Sequence, residues 1–123
     1  MNLQIYTINL IRSKDRYEFQ KEMEKKINHE IEIFEAIDKK DLSKNNIKNF
    51  LEEGIIEKKY KNCHTACFFK NFGSLACALS HYYLWEQVKN NYKLIIITED
   101  DNEYLKKTFM DDILKYNFPE DGI

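Results

Sequence analysis

The feature that most constrains the fold is a run of seven residues, YKLIIIT, at positions 92–98. Three consecutive isoleucines without polar alternation are typical of a central strand covered on both faces, as in parallel sheets. The run leads directly into three acids, Glu99, Asp100 and Asp101. In open α/β sheets the carboxyl ends of the strands border the ligand crevice. The sequence therefore predicts an acidic ligand site at the end of a buried strand.

The N-terminal part of the chain predicts a βαβ unit. Residues 3–10 are a short apolar run that we interpret as a buried first strand. Phe19, Met23 and Ile27 then recur every four residues, which indicates a helix with a narrow apolar stripe. Residues 31–36 alternate isoleucine with glutamate before a phenylalanine and an alanine, as in a second strand. Strand, helix and strand in this order predict two parallel strands.

The rest of the chain is predominantly helical in pattern. The segment that begins at Asp41 predicts a helix that stops at Gly54. Residues 55–72 have no clear period, and we interpret them as a loop. Residues 75–88 are apolar nearly all round, which predicts a helix buried on more than one face. A closing helix is expected over residues 105–113, where apolar residues again recur every four positions.

Length and charge limit the classes of function. At 123 residues the chain is long enough for one domain, and we predict a single domain over 1–123. A net charge of −2 gives no electrostatic reason to expect nucleic acid as a partner. No segment approaches the length of a transmembrane helix. Three cysteines without a secretory signal read as reduced thiols, so we expect a cytoplasmic protein.

The acids after the strand suggest a metal site. Because successive residues of a strand point to opposite sides, Glu99 and Asp101 are expected to share one side. Two carboxylates suit Mn²⁺ or Mg²⁺, which prefer oxygen ligands and bridge to diphosphates. The alternative is that the acids cap the next helix, with Asp101 or Asn102 as its N-cap.

The two arginines of the chain, Arg12 and Arg16, are four residues apart at the start of the first predicted helix. They would lie on one helix face, next to backbone N–H groups that can hold a phosphate or diphosphate. The alternative is that each arginine pairs with a surface acid.

A zinc site is a weaker interpretation. Four residues have the ligand count of a structural zinc site, namely Cys63, Cys67, Cys77 and His81. Cysteines are also common small core residues, and the first pair lacks the tight spacing usual for zinc. Ser80 and His81 are neighbours on a helix and point about 100° apart, which excludes a Ser–His nucleophile pair. Trp85 is expected in the core.

Taken together, these segments resemble glycosyltransferase family 25, the bacterial lipooligosaccharide glycosyltransferases. Four blocks in the family's order carry the resemblance: residues 6–16, 34–38, 73–81 with Trp85, and 95–101. Ala76 stands where the family usually has a glycine, and Thr98 where it has an apolar residue.

The resemblance implies a GT-A-like α/β fold, a Rossmann-like sheet with flanking helices that binds a nucleotide-diphosphate sugar with Mn²⁺ or Mg²⁺. We expect this sheet to be incomplete at the C-terminus. The metal ligands would be Asp101, as first choice, and Glu99. The positions that would bind the nucleotide sugar are Asn9, Leu10, Arg12, Arg16, Asp38, Ser80, His81, Glu99 and Asp100.

The expected reaction is transfer of a hexose, commonly galactose from UDP-galactose, to a lipooligosaccharide acceptor in bacteria. The sequence assigns no catalytic base. Peripheral association with the inner face of the inner membrane is an open alternative to a purely cytoplasmic location. We also expect a homo-oligomer, since an incomplete sheet exposes a strand edge. Two other interpretations remain open: a donor-binding fragment without turnover, and a zinc-stabilised interaction module.

Overall fold

The computed structural model describes residues 3–55, 72–91 and 94–116. In chain order the elements are β1 (Leu3–Asn9), α1 (Lys14–Ile27), β2 (Ile31–Glu35), a 3-10 turn (Lys39–Asp41), α2 (Lys44–Glu52), α3 (Phe72–Val88), β3 (Leu94–Glu99) and α4 (Phe109–Leu114). They fall into two compact units, Met1–Phe34 with Asn91–Ile123, and Glu35–Asn90. The single domain over 1–123 stays a prediction. Among the helices of the described ranges, none has the length and apolar character that crossing a bilayer requires.

The first unit is built on a three-stranded parallel sheet of order β2-β1-β3, so the predicted α/β class and βαβ unit are confirmed. Strands β1 and β3 run parallel in a register that pairs Leu3 with Leu94 and Ile8 with Glu99. The middle strand of the described sheet is β1, which has six of its seven residues buried. β1 thus has β2 on one side and β3 on the other, and open α/β sheets bind ligands at the carboxyl ends of the strands where the strand order reverses in this way.

The prediction that residues 92–98 form the central strand is wrong for the described sheet. β3 lies beside β1 at the outside of that sheet, and residues Leu94 to Thr98 are only partly buried. The physical reason is that an apolar run reports a preference for burial and not a position in the strand order. The middle position of the sheet is taken by β1, whose residues are more deeply buried than those of β3.

Helix α1 packs its apolar stripe on the sheet as the sequence predicts. Met23 and Ile27 are buried against Ile5 of β1 and Ile31 of β2, and Phe19 packs at the margin of this cluster. The helix ends at Asn28, whose left-handed backbone (φ 52°) lets its N–H reach the carbonyls of the last turn. The spacing of the stripe therefore fixes how α1 lies on the sheet.

The second unit has a core of its own between α2 and α3. Ile47 of α2 is buried with Leu75 and Leu79 of α3. Helix α2 begins with a capping box between Ser43 and Asn46, and the predicted stop at Gly54 is confirmed by a positive φ of 77°.

Two predictions about the second unit and the C-terminal helix are wrong. Trp85 on α3 is 56% exposed, so the prediction that it lies in the core is wrong. The buried residues of α3 recur at spacings of three and four, and the exposed aromatic residues Tyr83 and Trp85 conceal this stripe in the sequence. The closing helix begins at Phe109 and not at Leu105, which is 81% exposed. The predicted loop at 55–72 lies outside the described residues, apart from its two ends.

Replacing Ile5 by alanine tests the core of the first unit. Ile5 is 1% exposed, so Ile5→Ala should lower the free energy of unfolding by about 2–5 kcal/mol through lost burial and a cavity. Denaturant unfolding measures this. The matched control is Ile11→Ala at a position 75% exposed, where we expect a change within about 0.5 kcal/mol. Equal losses in both variants would contradict the described core.

Candidate functional site

The register of β1 and β3 brings two predicted site residues together. Ile8 lies opposite Glu99, so one further residue along each chain places Asn9 opposite Asp100. Asn9 Nδ2 donates a hydrogen bond to Asp100 Oδ2 at 2.8 Å. The side-chain amide also lies 3.4 Å from the carbonyl oxygen of Ser13, at the start of α1. The carboxyl ends of the two strands are therefore joined through polar side chains.

The pleat of the strands decides which acid is buried. Ile5 and Ile96 are paired in the register and both pack in the α1 core, so this face of the sheet is turned toward α1. Asn9 and Asp100 lie an even number of residues farther along, on the same face. Asp100 is accordingly buried at 7% exposure, whereas Glu99 and Asp101 are exposed.

The second partner of Asp100 is Arg16 of α1. Arg16 Nη1 donates to Asp100 Oδ1 at 3.1 Å, so both carboxylate oxygens are engaged. The hydrogen bond and then the Coulombic attraction of Asp100 raise the pKa of the Arg16 guanidinium above its ordinary value. The interpretation that Arg16 pairs with a surface acid is wrong, because its partner is buried. Arg16 itself remains 56% exposed, and its contact with a nucleotide stays a prediction.

Gln20, one turn farther along α1, is a site residue that the sequence reasoning missed. Its side chain is fully buried, and Nε2 donates to the carbonyl oxygens of Asp100 at 3.0 Å and of Asn102 at 2.8 Å. The N–H of Asn102 in turn donates to the carbonyl of Glu99 at 3.1 Å, which closes a tight turn. We call residues 99–102 the acidic turn. The available signal was an uncharged polar residue three positions before Met23, on the stripe that faces the core.

The acidic turn does not cap a helix. The next helix begins at Phe109, with Thr108 as its N-cap, so the alternative role for Asp101 or Asn102 as an N-cap is wrong. An apolar cavity of about 540 Å³ lies on the α4 side of β3. Asn102 and Tyr104 line it, whereas Glu99 and Asp101 do not. The exposed carboxylates of Glu99 and Asp101 therefore lie outside this cavity.

Three further predicted residues belong to the second unit, where each has a local structural partner. Asp38 accepts a hydrogen bond from the N–H of Lys40 at 3.1 Å and so caps the 3-10 turn. Ser80 is buried; its Oγ accepts from the N–H of Ile37 at 2.9 Å and donates to a carbonyl of its own helix. His81 Nδ1 lies 2.9 Å from the carbonyl oxygen of Cys77. Nucleotide binding by Asp38, Ser80 and His81 stays a prediction.

The zinc interpretation also stays a prediction. Cys63 and Cys67 lie outside the described residues. Cys77 is exposed on α3 and forms no disulfide within the described residues, and His81 follows it by one helical turn. The His81 ring also meets the exposed Trp85 edge to face, with centroids 6.1 Å apart.

The start of α1 completes the described site. Leu10 is partly buried and its carbonyl accepts from the N–H of Ser13 at 2.9 Å, while Arg12 is exposed in the turn between them. Ser13 makes no side-chain capping bond to α1. The site thus has two kinds of group. Exposed carboxylate oxygens lie at the end of β3, and the N-terminus of α1 with Arg12 lies after the end of β1. These groups suit a divalent cation and an anionic group.

A comparison with protein families identifies the chain's relatives. The family model described as "Glycosyltransferase family 25 (LPS biosynthesis protein)" matches residues 2–121, nearly the whole chain. The chain belongs to glycosyltransferase family 25. This confirms the family predicted from the four sequence blocks, and the parallel α/β sheet agrees with a nucleotide-sugar transferase-like fold.

One curated relative of this family 25 chain is a "Glycosyltransferase 25 family member" of Aedes aegypti. The two are 31% identical over 102 residues, which cover 79% of this chain and 16% of the relative. The chain thus spans about a sixth of that relative's length. No solved structure matches the chain.

Removing the Asn9 amide tests the contact that joins the strands. Asn9→Ala should lower the free energy of unfolding by about 1.5–3 kcal/mol, because a buried carboxylate loses a hydrogen bond. Asn45→Ala, at an exposed position of α2, is the matched control and should have little effect. Chemical denaturation of both variants measures the difference. A loss in Asn9→Ala no larger than in the control would show that the buried contact carries no stability.

Proposed function

We propose that the carboxyl ends of β1 and β3, with the start of α1, form the donor-nucleotide site of a family 25 glycosyltransferase. One observation carries the proposal. The buried carboxylate of Asp100 is bonded to Asn9 and Arg16 at 2.8 and 3.1 Å, which leaves Glu99 and Asp101 exposed on the same turn. A fixed turn with two outward carboxylates suits a cation held against a diphosphate.

Glu99 and Asp101 would hold Mn²⁺ or Mg²⁺, because both cations prefer oxygen ligands and both side chains are exposed acids. When bound, such a cation offsets the negative charge that develops on a departing diphosphate. Asp100 neutralises the positive charge of Arg16, so Arg16 does not repel a cation at Glu99 and Asp101. Family membership supports this assignment, because glycosyltransferases act on activated sugars.

The start of α1 is proposed to receive the diphosphate. Helix α1 is 14 residues long, and its first N–H groups donate no hydrogen bond to the Ser13 side chain. The N-terminus of a helix favours anions through these N–H groups and the helix dipole. Arg12 lies exposed immediately before it, where a guanidinium can bind phosphate oxygens in a bidentate manner.

For the donor we propose UDP-galactose, and for the reaction the transfer of its hexose to a lipooligosaccharide acceptor. The family description, which names LPS biosynthesis, supports the acceptor class. Since the chain spans 16% of its curated relative, nucleotide-sugar binding is proposed for this chain itself, and transfer for the site as part of a family 25 protein. We assign no catalytic base.

Thermal unfolding with UDP or UDP-galactose, with and without Mn²⁺, tests the proposal. A ligand at about ten times its dissociation constant stabilises the folded chain by about 1.4 kcal/mol, a shift of several degrees in Tm. We expect this shift to require Mn²⁺ and to be lost in Asp101→Asn. The matched control is Asp111→Asn on α4, which removes an equal charge at another exposed position and should keep the shift.

The absence of a Tm shift with either nucleotide would overturn the proposal. A shift that survives Asp101→Asn would keep nucleotide binding but remove Asp101 from the metal site. Release of UDP from UDP-galactose, followed on the same samples, separates turnover from the alternative of donor binding without turnover.

A further inference from the structure

The side-chain amide of Gln20 is a buried polar group outside the proposed ligands. It lies on the stripe of α1 that otherwise buries Met23 and Ile27, and its side chain is fully buried. Burying an amide costs free energy unless hydrogen bonds replace those it made with water. An apolar side chain is the ordinary occupant of such a position. The two hydrogen bonds of Nε2 therefore account for a glutamine there.

Both bonds are made to the backbone of the acidic turn. The acceptors are the carbonyl oxygens of Asp100 at 3.0 Å and Asn102 at 2.8 Å, which lie on either side of Asp101. Among the described residues, Gln20 Oε1 has no hydrogen-bond partner. The hydrogen bonding of the amide is thus directed entirely at this turn, and it holds the Asp100–Asp101 peptide group and the peptide group that follows Asn102.

We propose that Gln20 is a positioning residue, which fixes the backbone of the acidic turn so that Glu99 and Asp101 stay at a constant separation for one divalent cation. The inference rests on the proposed function, since it assigns Gln20 a role behind the proposed metal ligands. Removing a group that holds metal ligands in place through hydrogen bonds typically lowers the metal affinity by about 10- to 100-fold. Gln20 touches neither substrate nor metal.

The geometry is testable first in the unaltered chain. The carboxamide protons of Gln20 should exchange with solvent much more slowly than those of Gln87, which is exposed on α3. Amide-proton exchange by NMR measures both side chains in one sample. Equal exchange rates would show that the Gln20 amide is not bonded to the turn and would overturn the inference without any substitution.

The functional role is tested by Gln20→Met, which keeps the length of the side chain and removes both donors, with Gln87→Met as the matched control. We expect Mn²⁺ to bind Gln20→Met about 10-fold more weakly or worse, and the control to bind it like the parent. Free Mn²⁺ is measured by electron paramagnetic resonance. Gln20→Glu, which presents an oxygen to the same two carbonyls, should weaken binding at least as much.

A readout on the backbone separates positioning from a general loss of stability. The Asn102 N–H, which bonds within the turn, should lose exchange protection in Gln20→Met, while the Ile5 N–H in the core of β1 keeps its own. Parallel loss at both sites, or an unchanged Mn²⁺ affinity in a parent that binds Mn²⁺, would overturn the inference. If the parent binds no Mn²⁺, the proposed function fails, and the exchange of Gln20 and Asn102 alone decides whether the turn is held.

Discussion

The arrangement of the first unit depends on one buried carboxylate. Asp100 is 7% exposed and stands at the point where β3 ends, and an unpaired charge there would destabilise the fold. Asn9 from β1 and Arg16 from α1 engage its two oxygens, so a single side chain joins the middle strand, its neighbour and the helix that covers them. The register of β1 with β3 makes the Asn9 contact possible, because it places these two residues side by side.

This contact gives the three adjacent acids different positions. The pleat turns Asp100 inward, and the same geometry leaves Glu99 and Asp101 outside, where a cation can reach them. Two residues on one face of helix α1 hold this arrangement. Arg16 bonds to the Asp100 side chain, and Gln20 bonds to the backbone of the turn. For the proposed cation such a site would be favourable, because ligands fixed in advance lose little entropy on binding.

Much of this could be predicted from the sequence, and the failures have specific physical causes. Regular periodicity identified the stripe of α1 and the βαβ unit, and four blocks of residues identified the family. Strand order could not be predicted, since an isoleucine-rich run suits an inner or an outer strand. The exposure of Trp85 and the bonds of Gln20 depend on which neighbours the fold supplies. The burial of Asp100 beside Asn9 could be predicted only from the register of β1 with β3, and the sequence of a single segment does not determine that register.

The most direct test of this account is a titration of the chain with Mg²⁺, followed by NMR at the carboxyl carbons of Glu99, Asp100 and Asp101. We predict that the signals of Glu99 and Asp101 shift as the cation binds, while that of Asp100 moves least because its oxygens stay with Asn9 and Arg16. The largest shift at Asp100, with little change at its two neighbours, would contradict the account and make the buried acid the metal ligand.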